Sequence, residues 1–264
     1  MLISLTNCQI WDKSKSNNVP IIIVTYNREE AFKKCILSLY NSTNRSIYII
    51  DNSEGKLDDT LNWASQLSKN IKIIKNNKNI GKAASIKKHD YLLKNSQWFI
   101  TMDPDVIVNN DDIENLIKSA NYLLNKGYPI SLLSPALNSG NNPISQQITT
   151  KQLDTHKIGT MFHLENGLYI NEYLAGCLLL VNTLFYNIIG GFTQLKLYGC
   201  DDGELSKKAI QTETLSILNT NIECIHYRLD ETPDYIQWKI DNIKEPAENQ
   251  SNYLGPINHN NTCL

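Results

Sequence analysis

Apolar positions along the chain come in short unbroken runs, separated by stretches with helical spacing. Residues 20–26, PIIIVTY, form a continuous, mostly β-branched run, which suits a strand buried on both faces of a parallel sheet. A helix is expected next: Asn27 can cap it, Glu29 and Glu30 favour its positive end, and Ala31, Phe32, Cys35, Ile36 and Leu39 recur at helical spacing. Residues 46–51, SIYIID, repeat the strand signal. A turn over 52–55 leads to a second helix marked by Leu57, Leu61, Trp63, Ala64 and Leu67. Residues 71–75 (IKIIK) read as a third strand, 81–93 as an amphipathic helix opened by glycine, and 97–102 (QWFITM) as a fourth strand running into Asp103. Such alternation predicts βαβ units and a mostly parallel, doubly wound sheet. Its right-handed connections line the strands' carboxyl ends along one edge, where ligands bind.

The second half has a different rhythm. Residues 111–126 predict a helix, but 128–137, 158–170 and 174–182 read as strands without long crossover helices between them, which implies a mixed sheet. The segment 138–147, rich in Asn, Ser, Gly and Pro, reads as a mobile loop. A helix is expected from Asp202 to Gln211 and one or two strands over 216–227. A short tail helix should carry Tyr235, Ile236, Ile240 and Ile243. Neither an internal repeat nor a linker marks a domain boundary.

Composition narrows the function classes. The 264 residues are 41% hydrophobic and 20% charged, as in an ordinary globular protein. Lys and Arg number 25 against 27 Asp and Glu, so no global field favours nucleic acid. Cys8, Cys35, Cys177, Cys200, Cys224 and Cys263 form no CxxC pair, which argues against a zinc knuckle or a disulfide framework and for reduced thiols. Residues 1–7 lack the features of a signal peptide. The longest apolar run, 174–181 (LAGCLLLV), falls far short of the ~20 residues of a membrane helix. A cytoplasmic location is expected, with no transmembrane segment, and peripheral membrane association is left open.

The strongest chemical signal is Asp103-Pro104-Asp105 after the fourth strand. Carboxylates at i and i+2 on an extended backbone point the same way, and Pro104 exposes them in a turn. Such a pair suits Mg²⁺ or Mn²⁺ with positions left for phosphate oxygens, although Asp and Pro also serve plain turns. Asp51 closes the second strand at the same sheet edge, where it could accept hydrogen bonds from a nucleobase or ribose, or simply hold the turn at Asn52-Ser53. The acids Asp201, Asp202 and Glu204 open a helix, where acids also complement the dipole.

The set Val24-Thr25-Tyr26-Asn27-Arg28, Asp51, Asn79-Ile80-Gly81-Lys82, Asp103-Pro104-Asp105, Gly190-Gly191-Phe192 and Asp201-Asp202-Gly203-Glu204-Leu205 resembles the family 2 glycosyltransferases of GT-A fold, over roughly residues 20–227. The resemblance implies one GT-A unit: a nucleotide-binding half over 1–110, an acceptor and catalytic half over 111–228, and a tail over 229–264. It implies an inverting, non-processive enzyme that moves a sugar from a nucleotide-diphosphate donor, by analogy UDP-hexose or UDP-N-acetylhexosamine, to a hydroxyl of a glycan, lipid-linked or protein acceptor, as in cell-surface glycan biosynthesis. Thr25, Tyr26, Asn27, Arg28, Asp51, Asn79, Gly81, Lys82, Asp103 and Pro104 match nucleotide-side positions. Asp103 and Asp105 match the DxD pair that holds Mn²⁺ or Mg²⁺, His226 lies where many GT-A enzymes present a further metal ligand, and Asp202, with Asp201 before it, matches the general base. Asp201 stands where Glu is usual. The Gln-x-x-Arg-Trp motif of processive synthases is absent, since residues 235–239, YIQWK, give Gln and Trp in the wrong order. Tyr169, Tyr173, Tyr198 and Trp238 are candidates for stacking on a sugar. Two alternatives stay in view. A sugar-phosphate nucleotidyltransferase would carry a Gly-rich loop after the first strand, where this chain has Thr25-Tyr26-Asn27-Arg28. A catalytically silent nucleotide-sugar-binding module would have no use for the full acidic set.

Overall fold

The computed structural model describes residues 18–138, 161–193, 196–199, 201–227 and 231–243. Four parallel strands, β1 (Ile21–Thr25), β2 (Ile47–Asp51), β3 (Ile71–Lys75) and β4 (Trp98–Met102), alternate with helices α1 (Glu29–Ser42), α2 (Asp58–Leu67) and α3 (Lys82–Lys88). There follow the two-residue β5 (Val106–Ile107), α4 (Asp112–Asn125), β6 (Ile130–Asn138), the hairpin β7 (Met161–Glu165) and β8 (Leu168–Asn171), and β9 (Leu178–Asn182). Helices α5 (Thr183–Ile188) and α6 (Asp201–Gln211), the long β10 (Leu215–His226) and α7 (Pro233–Ile243) complete the described chain.

One sheet takes in every described strand, in the order β3-β2-β1-β4-β9-β6-β10-β8-β7, with β5 paired to β10. It is parallel from β3 to β4 and between β6 and β10, and antiparallel where β9 fits between β4 and β6. Central strands β1, β4 and β9 are buried at every position, as their unbroken apolar runs require. The edge strand β3 is different: Lys72 and Lys75 are exposed on it, a charge pattern that blunts further pairing. Helices α1 and α4 turn Phe32, Ile36 and Leu39, and Leu116, Ala120 and Leu123, onto the sheet.

Several boundaries differ from those expected. Asn27 does not cap α1. It takes a left-handed φ of 54° and donates its N–H to Ser53 Oγ, which leaves Arg28 at the helix start. The helix expected over 81–93 stops at Lys88, and a 3₁₀ turn, Asp90–Leu93, completes the segment. The expected strand over 158–170 is described from Met161 and folds into the β7–β8 hairpin, because Asn166 and Gly167 both take positive φ, 45° and 76°, as a tight two-residue turn needs. Of the expected loop over 138–147, Asn138 ends β6 and the rest lies outside the described residues.

From β1 the chain runs outward to β2 and β3, then returns to β4 on β1's other side. The carboxyl ends of β1 and β4 therefore diverge at a topological switch point, where a crevice opens.

Candidate active site

A cavity of about 420 Å³ opens at this switch point, and it collects residues from every part of the fold. The exit of β1 supplies Tyr26 and Arg28, the turn before α3 supplies Asn79 and Gly81, the first residue of α3 is Lys82, and the exit of β4 supplies Asp103, Pro104 and Asp105. From the second half come Tyr173, Gly176, Cys177, Asp201, Asp202 and His226, and α7 closes one side with Tyr235, Trp238 and Lys239.

Gly81 is where the backbone must approach most closely. Its φ is +81°, and a Cβ there would be driven into the Lys196 carbonyl. That approach sets Lys82, whose Nζ lies 2.6 Å from Asp103 Oδ1, 2.9 Å from the Gly176 carbonyl and 3.2 Å from Asp201 Oδ2. Burial works against the ammonium, but the two carboxylates outweigh it and hold Lys82 protonated above its usual range. Burial likewise raises the Asp103 carboxyl, against the pull of Lys82.

Asp105 is buried and makes different contacts. Its Oδ2 accepts a hydrogen bond from Arg28 Nη1 and lies 3.3 Å from His226 Nε2. Arg28 also donates to the Tyr227 carbonyl at 3.1 Å, and its Nη1 is 3.9 Å from Glu231, which itself pairs with Lys239. Burial opposes ionisation of Asp105, and His226, Arg28 and Lys239 together hold the carboxyl well below the usual carboxylate range. Its other oxygen, Oδ1, is buried without a hydrogen-bond partner. A buried, ionised oxygen with nothing to bind is where a cation belongs. Two carboxylates and an imidazole, from Asp103, Asp105 and His226, suit a hard to borderline divalent cation.

Asp202 occupies the far wall. Its Oδ2 accepts hydrogen bonds from Tyr173 Oη at 2.8 Å and Gly176 N at 3.0 Å, and its Oδ1 accepts Gly203 N at 2.8 Å. Gly176 has to be glycine for this, since a Cβ would lie 2.9 Å from Asp202 Cβ. Burial and the neighbouring Asp201 push the Asp202 carboxyl up to about 6, and the three donors resist the shift. The site thus separates a strongly ionised carboxylate, Asp105, from one whose proton exchanges near neutrality, a division suited to cation binding on one side and proton transfer on the other.

Residues 21–156 match the model of the family described as "Glycosyl transferase family 2", just over half of the chain. The chain belongs to that family. Among curated proteins none matches it significantly in sequence. In structure it is similar to GalNAc-T7, solved with UDP, GalNAc and Mn²⁺, with a TM-score of 0.62 and 16% identity over 86% of this chain and 48% of that one. It is also similar to the mannosyltransferase PcManGT from Pyrobaculum calidifontis, solved with GDP-Man and Mn²⁺, with a TM-score of 0.57 and 14% identity over 87% of this chain and 63% of that one. The family 2 chain thus spans about half and about two-thirds of the lengths of these two proteins, and shares with them the mixed, mostly parallel sheet flanked by helices that the sequence predicts.

Of the residues singled out in the sequence, Tyr26, Arg28, Asn79, Gly81, Lys82, Asp103, Pro104, Asp105, Asp201, Asp202 and His226 all line the one cavity. Thr25, Asn27 and Asp51 are not among its lining. Thr25 is wholly buried, and Asp51, 1% exposed, turns its Oδ1 onto the Ser53 N–H at 2.9 Å, which is the turn-holding role. Tyr198 and Trp238 line the cavity and Tyr173 holds Asp202, whereas Tyr169 packs against His163 away from it. Cys177, Gly176, Glu231, Tyr235 and Lys239 line the same cavity but were not anticipated. The aromatic face of α7 had a signal, since Tyr235, Trp238 and Lys239 fall at i, i+3 and i+4. The rings of Tyr26, Tyr198 and Tyr235 all lie within 6.0 Å of Trp238.

Proposed function

We propose that this family 2 chain transfers a sugar from a nucleotide-diphosphate donor to an acceptor hydroxyl with inversion at the anomeric carbon. The observation that carries the reading is the placement of Asp202 and the Asp103–Asp105 pair in one cavity, with the Asp105 and Asp202 carboxyls tuned in opposite directions. Residues 1–110 supply the nucleotide side and 111–228 the acceptor and catalytic side. Tyr26 and Trp238 offer faces to a base, and Lys82 offers a fixed positive charge to phosphate oxygens. Asp103, Asp105 and His226 would hold Mn²⁺ or Mg²⁺, which neutralises charge on a departing diphosphate. Mn²⁺ in both structural neighbours supports this cation.

Asp202 is the general base. It is ionised at neutral pH yet close enough to its pKa to take a proton readily, and Tyr173, Gly176 and Gly203 fix its direction. Direct displacement needs one such carboxylate on the acceptor side and no covalent intermediate. The neighbours bind UDP and GDP-Man, so the fold takes both nucleotides; UDP-hexose or UDP-N-acetylhexosamine is the donor class we favour by family analogy. The acceptor is a glycan, a lipid-linked intermediate or a protein, as in cell-surface glycan assembly. Among the described residues no helix is long and apolar enough to cross a membrane; action in the cytoplasm is part of the proposal. Replacing Asp202 by Asn tests the reading: turnover should collapse while donor binding persists, and unchanged turnover would reject the assignment.

A further inference from the structure

The residues held ready for a hard cation do not exhaust the metal-binding chemistry of this cavity. Cys177 Sγ, His226 and Asp103 present donor atoms that all lie within 4.8 Å of one another. Cys177, the residue before β9, is 2% exposed and is not in a disulfide. Its sulfur is 3.6 Å from His226 Nδ1 and 4.0 Å from Nε2, so the ring turns Nδ1 toward the sulfur. The opposite nitrogen, Nε2, faces Asp105 Oδ2 at 3.3 Å. A carboxylate on one imidazole nitrogen and a metal on the other is the usual way a histidine ligand is oriented and made more basic.

We infer that the cavity has a second, thiolate-containing metal mode, in which Cys177 Sγ, His226 Nδ1 and an Asp103 oxygen bind a thiophilic divalent cation such as Zn²⁺, with Asp105 fixing the ring. The spacing supports it. A tetrahedral Zn²⁺ with bonds of about 2.3 Å to sulfur and about 2.1 Å to nitrogen separates the two donors by about 3.6 Å, the Sγ–Nδ1 distance observed. The third ligand, Asp103, gives Oδ1 to Lys82 and has a second oxygen to offer. One position on the metal then stays open, facing the cavity. Coordination exchanges the Cys177 S–H proton for the metal, and the proton leaves to the buffer.

The two modes exclude each other, because both use Asp103 and His226, and they draw on opposite nitrogens of the same imidazole: Nε2 beside Asp105 for Mn²⁺ or Mg²⁺, Nδ1 beside Cys177 for Zn²⁺. Soft sulfur selects between them, since thiolate favours Zn²⁺ and carboxylate favours Mg²⁺ and Mn²⁺. Zn²⁺ therefore acts as an inhibitor that withdraws both shared ligands from the hard cation. That consequence rests on the metal-dependent reading above; the binding itself does not.

The test uses the whole reduced chain and Co²⁺ as the spectroscopic probe. Wild type should show a thiolate-to-cobalt charge-transfer band in the near ultraviolet, saturating at one equivalent and erased by one equivalent of Zn²⁺. Cys177→Ser should lose the band, and His226→Gln should lose it or weaken Co²⁺ at least tenfold, which keeps the assignment testable if the serine variant folds poorly. No band in wild type, or a band of equal strength in Cys177→Ser, would overturn the proposal. A chain that shows the band but consumes no nucleotide sugar would reject the proposed transfer and leave the Zn²⁺ site standing.

Discussion

Replacing Asp202 by Asn keeps the side chain's size while removing its charge, its ability to take a proton and one of its hydrogen-bond-accepting oxygens. Loss of a positioned general base costs on the order of 10²- to 10⁴-fold in turnover, about 3–5 kcal/mol of transition-state stabilisation. Donor affinity should hardly change, since Asp202 bonds to Tyr173, Gly176 and Gly203 and makes no direct ion pair with Lys82, whose carboxylate partners are Asp103 and Asp201. The pH profile should move too. With the carboxyl at about 6, wild-type turnover has an acid limb that falls about tenfold per unit below that value, and the variant's residual rate has none. Stability should move in the opposite direction to activity. The folded value lies above the ordinary 3.8, so the folded chain holds more protons than the unfolded one over that interval. Stability present at low pH is therefore lost as pH rises through about 6. The gap of about two units, at about 1.4 kcal/mol each, makes ~3 kcal/mol, an upper bound on what Asn recovers above pH 7 in the metal-free protein. Nucleoside diphosphate release from pH 5 to 8 reads the first effect, and urea denaturation at the two ends reads the second. Unchanged turnover, or an acid limb near pH 6 that persists in the variant, would refute the reasoning.

Asp105→Asn should abolish metal-stimulated turnover and destabilise the fold by about 3–5 kcal/mol, because it breaks the buried Arg28–Asp105 ion pair; metal titration and chemical denaturation read the two losses. Wild-type stability from the Asp105 carboxylate, whose value is depressed, should be fully present at neutral pH and fade only on acidification below the usual carboxylate range, visible as an acid-side fall in Tm. Gly81→Ala should cost about 1–3 kcal/mol for the positive-φ, extended-ψ backbone alone, and more for the collision with the Lys196 carbonyl, seen as a lower Tm. Trp238→Ala removes the ring that Tyr26, Tyr198 and Tyr235 pack around, and should raise donor KM more than it lowers kcat while leaving Tm nearly unchanged, since α7 lies on the surface.

The first half of the fold was legible because β1 and β4 are buried on both faces and α1 and α2 are amphipathic, so hydrophobic pattern and final environment agree. The second half was less so. The run over 158–170 hid the Asn166-Gly167 turn, a two-residue signal inside a longer apolar stretch. In the site, Asp103 and Asp105 were readable as a local motif, and so was the acidic start of α6. What sequence could not give is who faces whom. Arg28 and Asp105 lie 77 positions apart, Cys177 and His226 lie 49 apart, and only the closing of the sheet brings each pair together. Asp51 shows the converse: its position offers either a binding or a turn role, and only the fold shows its Oδ1 accepting the local Ser53 N–H.

The central claim is that Asp103, Asp105 and Asp202 serve metal-dependent sugar transfer. Its most direct test is a panel of nucleotide-diphosphate sugars incubated with the full chain without acceptor, with Mn²⁺, with Mg²⁺ and with chelator, reading nucleoside diphosphate release. The expected result is one donor consumed above the rest, only with a divalent cation, and not by Asp105→Asn. Release of no nucleoside diphosphate from any donor under any condition, or equal release with chelator present, would contradict it.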